Sequence, residues 1–169
     1  PIKYNTVCNK KFTSIVFSLD NEKKKRMKKN LDNECIFIDL IPFKLNITKN
    51  EKHKIIGNSH IKGWKYALKK NLDGALFFED DIILLKNWKS ILGTFIEKVS
   101  PDIVRMDSLP YRIGNNDDEV IFYKDISPWC LGGYYLSKKA IVYLVSYFDS
   151  YEWSSTNCEV AFSQAFQKF

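Results

Sequence analysis

Three consecutive acids, Glu79-Asp80-Asp81, stand between the apolar runs "ALFF" and "IILL". Carboxylates are costly against a hydrophobic core unless a cation, a proton or water compensates them. If "ALFF" is a strand, alternation sends Glu79 and Asp81 to one side and Asp80 to the other. Two carboxylates converging at a strand tip suit a hard divalent cation, Mg²⁺ or Mn²⁺, which usually holds substrate phosphates as well. A diphosphate leaving group would gain from that cation, because charge builds on it as its bond breaks. The plainer alternative is a solvated loop, or acids decorating a helix N-terminus. Both readings stay open on the pattern alone, although these acids interrupt a core segment rather than a polar one.

Other residues have chemistry to offer. Ser59 and His60 read as a helix start, with Ser59 as the cap and His60 either a hydrogen-bonded structural residue or part of a pocket wall. Asp107 follows "DIVRM" and so ends another strand. Gly132 and Gly133 permit close backbone approach, useful beside a ligand or in a bulge or turn. Asp20 reads as a helix cap, and Arg26 or a neighbouring lysine could reach a phosphate.

The elements that must position these residues follow from the apolar runs. "SIVFSL" (14–19) is a short buried strand; Asp20-Asn21 caps a lysine-rich helix to Leu31, and "CIFIDL" (35–40) is a second strand. That order predicts a parallel pair joined by a helical crossover. Residues 42–56 read as a polar loop, and a helix is expected over 57–74 with Ile61, Trp64 and Leu68 on its apolar face. The acid-tipped strand comes next, then a helix over 87–99 and a strand over 102–106. Residues 107–119 are turn-rich, and "VIFYK" (120–124) and "LGGYYLS" (131–137) are further strands. A helix from Lys138 carries Ile141, Leu144, Val145 and Phe148, and a last helix spans 157–169. The expected fold class is α/β, a mixed, mostly parallel sheet flanked by helices. In such sheets ligands bind beyond the carboxyl ends of the strands, where Glu79, Asp80 and Asp81 lie.

Composition narrows the function classes. The 169 residues are 45% hydrophobic and 15% aromatic, which fits one folded domain over 1–169 and excludes a disordered chain. The first residue is Pro1, so an excised piece of a longer protein is also expected. No run reaches the length of a membrane span or reads as a signal peptide, and the expected location is cytoplasmic. The formal charge of +6 suits an anionic partner. Much of it lies in "EKKKRMKKN" (22–30), a solvated helix face and a candidate for peripheral membrane contact. Nucleic acid is not expected as a partner, because no aromatic-interleaved patch or known module is visible. The four cysteines are far apart, with neither zinc-site spacing nor a disulfide framework. One sequon, Asn46-Ile47-Thr48, would matter only in a secreted protein.

The segments "SIVFSLDNEKKKRMKKNL", "IIGNSHIKGWKYALKKNLDGALFFEDDIIL" and "GGYYLSKKAIVYL" resemble, in order, the successive blocks of glycosyltransferase family 25. That family includes lipooligosaccharide sugar transferases and collagen galactosyltransferases. The resemblance covers most of residues 14–145. It implies a single GT-A-like nucleotide-sugar-binding domain, in which an Asp-x-Asp-like motif holds a divalent metal, Mn²⁺ or Mg²⁺, against the donor diphosphate. Glu79-Asp80-Asp81 takes that place, with Asp81 the first choice of metal ligand, Glu79 a second, and Asp80 near the donor's sugar or ribose. The same resemblance puts Ser18, Leu19 and Asp20 beside the nucleotide and adds Ser59, His60, Asp107, Gly132 and Gly133 to the donor pocket. An inverting transferase needs a base for the acceptor hydroxyl. The family usually supplies an Asp after the "GGYYLS" helix; here Asp149, Glu152 and Glu159 lie in that neighbourhood, none a clean match, and Glu159, which opens the last helix, is the first choice.

The implied activity is metal-dependent transfer of a sugar from a nucleotide donor, a UDP-sugar, to a hydroxyl of a glycan or glycoconjugate. The alternative is a catalytically silent module that keeps the fold and binds glycan or a partner protein.

Overall fold

The computed structural model describes residues 12–31, 35–39, 47–84, 87–106, 132–153 and 157–169. A five-stranded sheet in the order β2-β1-β3-β5-β4 forms the middle layer, built from β1 (Thr13–Phe17), β2 (Cys35–Ile38), β3 (Gly74–Glu79), β4 (Ile103–Arg105) and β5 (Gly133–Ser137). β1 pairs in parallel with both β2 and β3, whereas β5 runs antiparallel to β3 and to β4. The sheet is therefore mixed, with four strands pointing one way and β5 reversed. The expected α/β class holds.

Strand alternation sorts the core into two layers. Ile15, Phe17, Ala75, Phe77, Tyr134 and Leu136 face α2 (Lys49–Lys69), α4 (Lys138–Asp149) and α5 (Cys158–Lys168). Val16, Leu76, Phe78, Val104 and Tyr135 face α1 (Asn21–Asn30) and α3 (Trp88–Val99). The nearly continuous apolar character of "SIVF" and "ALFF" is what burial on both faces requires. Extending the same alternation by one residue puts Glu79 on the α2 side.

Most helix boundaries follow their caps. Asp20 accepts from the amides of Glu22 and Lys23 and starts α1, and Ser137 accepts from Ala140 and starts α4. α2 starts at its cap too, but not where the sequence placed it. Ser59 and His60 do not open a helix: they lie in the middle of a 21-residue one that begins at Lys49. Its cap is Thr48, in a full capping box with Glu51, so 49–56 are helix rather than loop. Ser59 instead donates its hydroxyl to Ile55 O, one turn back. Gly57 lies inside the helix, and the indole of Trp153 fills the space where a Cβ would stand. Leu40, the strand expected over 120–124 and Asp107 lie outside the described residues.

Candidate active site at the tip of β3

β1 has β2 on one side and β3 on the other, and the helices that follow β1 and β2 cover opposite faces of the sheet. The carboxyl ends of β1 and β3 therefore open onto a crevice, the usual ligand position in such sheets. Ser18 lies at one lip and Glu79-Asp80-Asp81 at the other.

The three acids have different surroundings. Asp80 faces the α1 side: its Oδ2 accepts from buried Ser18 Oγ at 2.6 Å and its Oδ1 from Lys23 Nζ at 3.0 Å. Arg26 donates to the Asp80 backbone carbonyl. The hydrogen bond and charge of Asp80 push the Lys23 ammonium up from its ordinary range. β3 ends at Glu79, and Asp80 and Asp81 form a turn, so strand alternation separates Glu79 from Asp80 and goes no further. Asp81 is exposed; its charge adds to the field on Lys23, and it makes no hydrogen bond or ion pair with the other described residues.

Glu79 faces α2 and α5. Its Oε1 lies 3.5 Å from His60 Nε2, and its amide donates to Gly132 O at 2.8 Å. Its charge reaches α5, where burial first and Glu79 second push the Glu159 carboxyl up, opposed by His53 and Arg105. The neighbouring Cys158 is buried, 3.6 Å from His53 Nδ1, and its thiol is pushed up to about 12, mainly by burial. Burial of this kind suits a packing residue better than a nucleophile. Glu159, half-buried in the first turn of α5, thus lies within electrostatic reach of Glu79, His53 and Arg105.

Sequence-predicted residues fall into groups. Ser18, Asp20, Glu79, Asp80 and Asp81 cluster at the crevice with Leu19, which is exposed. His60 lies just behind Glu79, whereas Ser59 is buried and spends its hydroxyl on its own helix. Asp149 does not join the acids: it is exposed at the end of α4 and paired with Lys65 at 2.6 Å. Gly133 does allow close approach, but the space is taken by Phe78 and Met106, 3.2 and 3.3 Å from where its Cβ would be. Trp64 packs in the core and donates to Tyr134 Oη at 3.0 Å.

Sequence reasoning missed His53, Arg105, Cys158 and Tyr134. Alternation in "GGYYLS" would have turned Tyr134 toward α2; the others carry no local signal. Among the described residues no group of three or more His, Cys, Asp or Glu side chains is placed to hold a metal ion. Nor is any described helix long and apolar enough to cross a membrane.

The sequence model for Glycosyltransferase family 25 (LPS biosynthesis protein) matches residues 11–121, about two thirds of the chain. The chain is also 30% identical over 112 residues to a protein named Lacto-N-neotetraose biosynthesis glycosyltransferase LgtE, from Neisseria meningitidis serogroup B (strain ATCC BAA-335 / MC58). That match takes in 59% of this chain and 40% of the relative, so the chain spans less than half the relative's length.

Proposed function

The chain belongs to glycosyltransferase family 25, and from that premise we propose that it carries the donor site of a sugar transferase of GT-A type, with a UDP-sugar as donor and a glycan hydroxyl as acceptor. The observation that supports this reading best is the position of Glu79-Asp80-Asp81 at the crevice between β1 and β3, with Lys23 and Arg26 on its rim.

A divalent ion that binds substrate phosphates keeps several waters and needs only one or two protein carboxylates. Exposed Asp81, with Glu79 as second donor, fits that requirement without a three-residue cage. Mn²⁺ or Mg²⁺ bound there would neutralise the charge that grows on the departing diphosphate. Lys23 and Arg26 would contribute positive charge to the same phosphates. Asp80 holds both cations at the lip, so its role in this reading is to position them.

Transfer forms a bond from the acceptor oxygen to the anomeric carbon and breaks the bond from that carbon to the diphosphate oxygen. The acceptor proton must leave, and Glu159 is the proposed base. Burial and the Glu79 charge make its carboxylate more basic than a free one, which strengthens it as a proton acceptor once ionised. Attack on the face opposite the leaving group inverts the anomeric centre. LPS-type glycan assembly, named for the family, is the proposed setting for the acceptor.

The test is calorimetric binding of UDP, UDP-glucose and UDP-galactose with and without Mn²⁺, on the wild type and on Asp81→Ala. Mn²⁺-dependent binding that the substitution removes is expected. Absence of any nucleotide binding would overturn the reading in favour of a silent glycan- or protein-binding module.

A further inference from the structure

His60 is only 1% exposed, its ring enclosed by Phe17, Tyr134 and Phe162. Its Nδ1 lies 2.7 Å from Tyr134 Oη, the oxygen that also accepts from Trp64 Nε1–H. Its Nε2 is buried without a hydrogen-bond partner among the described residues and lies 3.5 Å from Glu79 Oε1, just beyond good hydrogen-bond length. A neutral imidazole has one N–H, so two arrangements compete. With the proton on Nδ1, a buried bare nitrogen lone pair would face the part-exposed Glu79 carboxylate, lone pair against anion, with no donor between them. With the proton on Nε2, that N–H points toward the carboxylate, and Nδ1 accepts from the Tyr134 hydroxyl. The second arrangement satisfies Nδ1 and gives Nε2–H an anionic neighbour, the Glu79 carboxylate, at 3.5 Å.

We propose that His60 is a positioning residue: its Nε2–H, fixed in direction by Tyr134 at Nδ1, holds the Glu79 carboxylate at the tip of β3. The aromatic cage supplies rigidity that a loop histidine lacks, and Trp64 pins the Tyr134 oxygen from the core side. Glu79 alone of the three acids has such a support behind it; Asp80 is held from α1, and Asp81 stands in solvent. The inference rests on the reading of Glu79 as part of the donor site, and carboxylates that ligate metals are commonly oriented by this kind of outer contact.

Two measurements test it. Long-range ¹⁵N–¹H correlation of the imidazole in the full chain reports the tautomer directly. An Nε2–H ring that moves toward a mixture in Tyr134→Phe is expected, and an Nδ1–H ring would overturn the proposal. The second is Mn²⁺ binding in the presence of UDP for His60→Phe, which keeps an aromatic ring in the cage, and for His60→Gln, whose amide can still donate. With folding checked by near-ultraviolet circular dichroism, His60→Phe is expected to weaken Mn²⁺ binding by about 10- to 100-fold and His60→Gln to restore much of it. Equal binding by wild type and His60→Phe would refute the positioning role. If the wild type binds no UDP, the transferase reading fails and the tautomer result alone judges His60.

Discussion

Ser18 donates its hydroxyl to Asp80 across 62 positions of sequence, at 2.6 Å, and ties the tip of β1 to the tip of β3. Both ends of this bond are shielded, and the acceptor is a carboxylate already bearing Lys23. Ser18→Ala should therefore destabilise the chain by about 1–3 kcal/mol, as expected for a hydrogen bond to a charged partner. The urea midpoint should fall with an unchanged slope.

Glu159 gives the pH dependence. Its folded-state carboxyl is held above its ordinary 4.5, so the folded chain binds more protons than the unfolded one between that value and the raised one. Stability contributed by this group is complete below 4.5, falls as pH rises through the window, and levels off above it. Glu159→Gln should flatten that limb in melts recorded against pH. As the proposed base, the same variant should lower kcat/KM by about 10²- to 10⁴-fold.

Gly63 faces the Phe17 ring, and a Cβ there would stand 2.7 Å from two of its carbons. Phe17 is buried against His60 and Phe77 and has no room to retreat. Gly63→Ala should gain about 1 kcal/mol of helix propensity but lose about 1–3 kcal/mol to overpacking. A net fall in melting temperature is the expected result; a rise would show that the cage yields.

Thr48→Ala should remove the side-chain half of the capping box, the bond from the Glu51 amide to Thr48 Oγ1, leave the backbone amide at 48 able to donate to the Glu51 carboxylate, and cost about 1 kcal/mol. The loss should appear as fraying of the first turns of α2 in hydrogen exchange, without a change in near-ultraviolet signal from Trp64.

The sequence told most where the signal was local. "SIVF" and "ALFF" read as buried strands from their apolar content, and the helix starts read at Asp20-Asn21 and Lys138 agree with the caps found at Asp20 and Ser137. The start of α2 was misread because Gly57-Asn58-Ser59 looks like punctuation, while the true signal, Thr48 with Glu51, lay eleven residues earlier in a polar stretch. The acids at the end of β3 were legible for the same local reason. Their division of labour was not. Asp80 belongs to α1 and Glu79 to α2 and α5 because the topology brings Lys23, His60 and Glu159 to one strand end, and the Tyr134–His60 contact spans 74 positions. Asp149 stood beside Glu159 as a candidate base in the sequence, but it closes α4, exposed and paired with Lys65, whereas Glu159 opens α5 within electrostatic reach of Glu79.

α2 has a consequence of its own. One continuous helix bears His53 and His60 on the crevice wall and Trp64 and Ala67 in the deepest core. The wall therefore cannot open as a separate cooperative unit without withdrawing Trp64 from beneath Tyr134 and Phe162. Amide protons from about Ser59 onward should exchange only with global unfolding, while the lip built from Leu19, Asp20 and the Asp80-Asp81 turn opens far more cheaply. Local opening is thus expected at the α1-side lip, opposite a wall as stable as the fold itself.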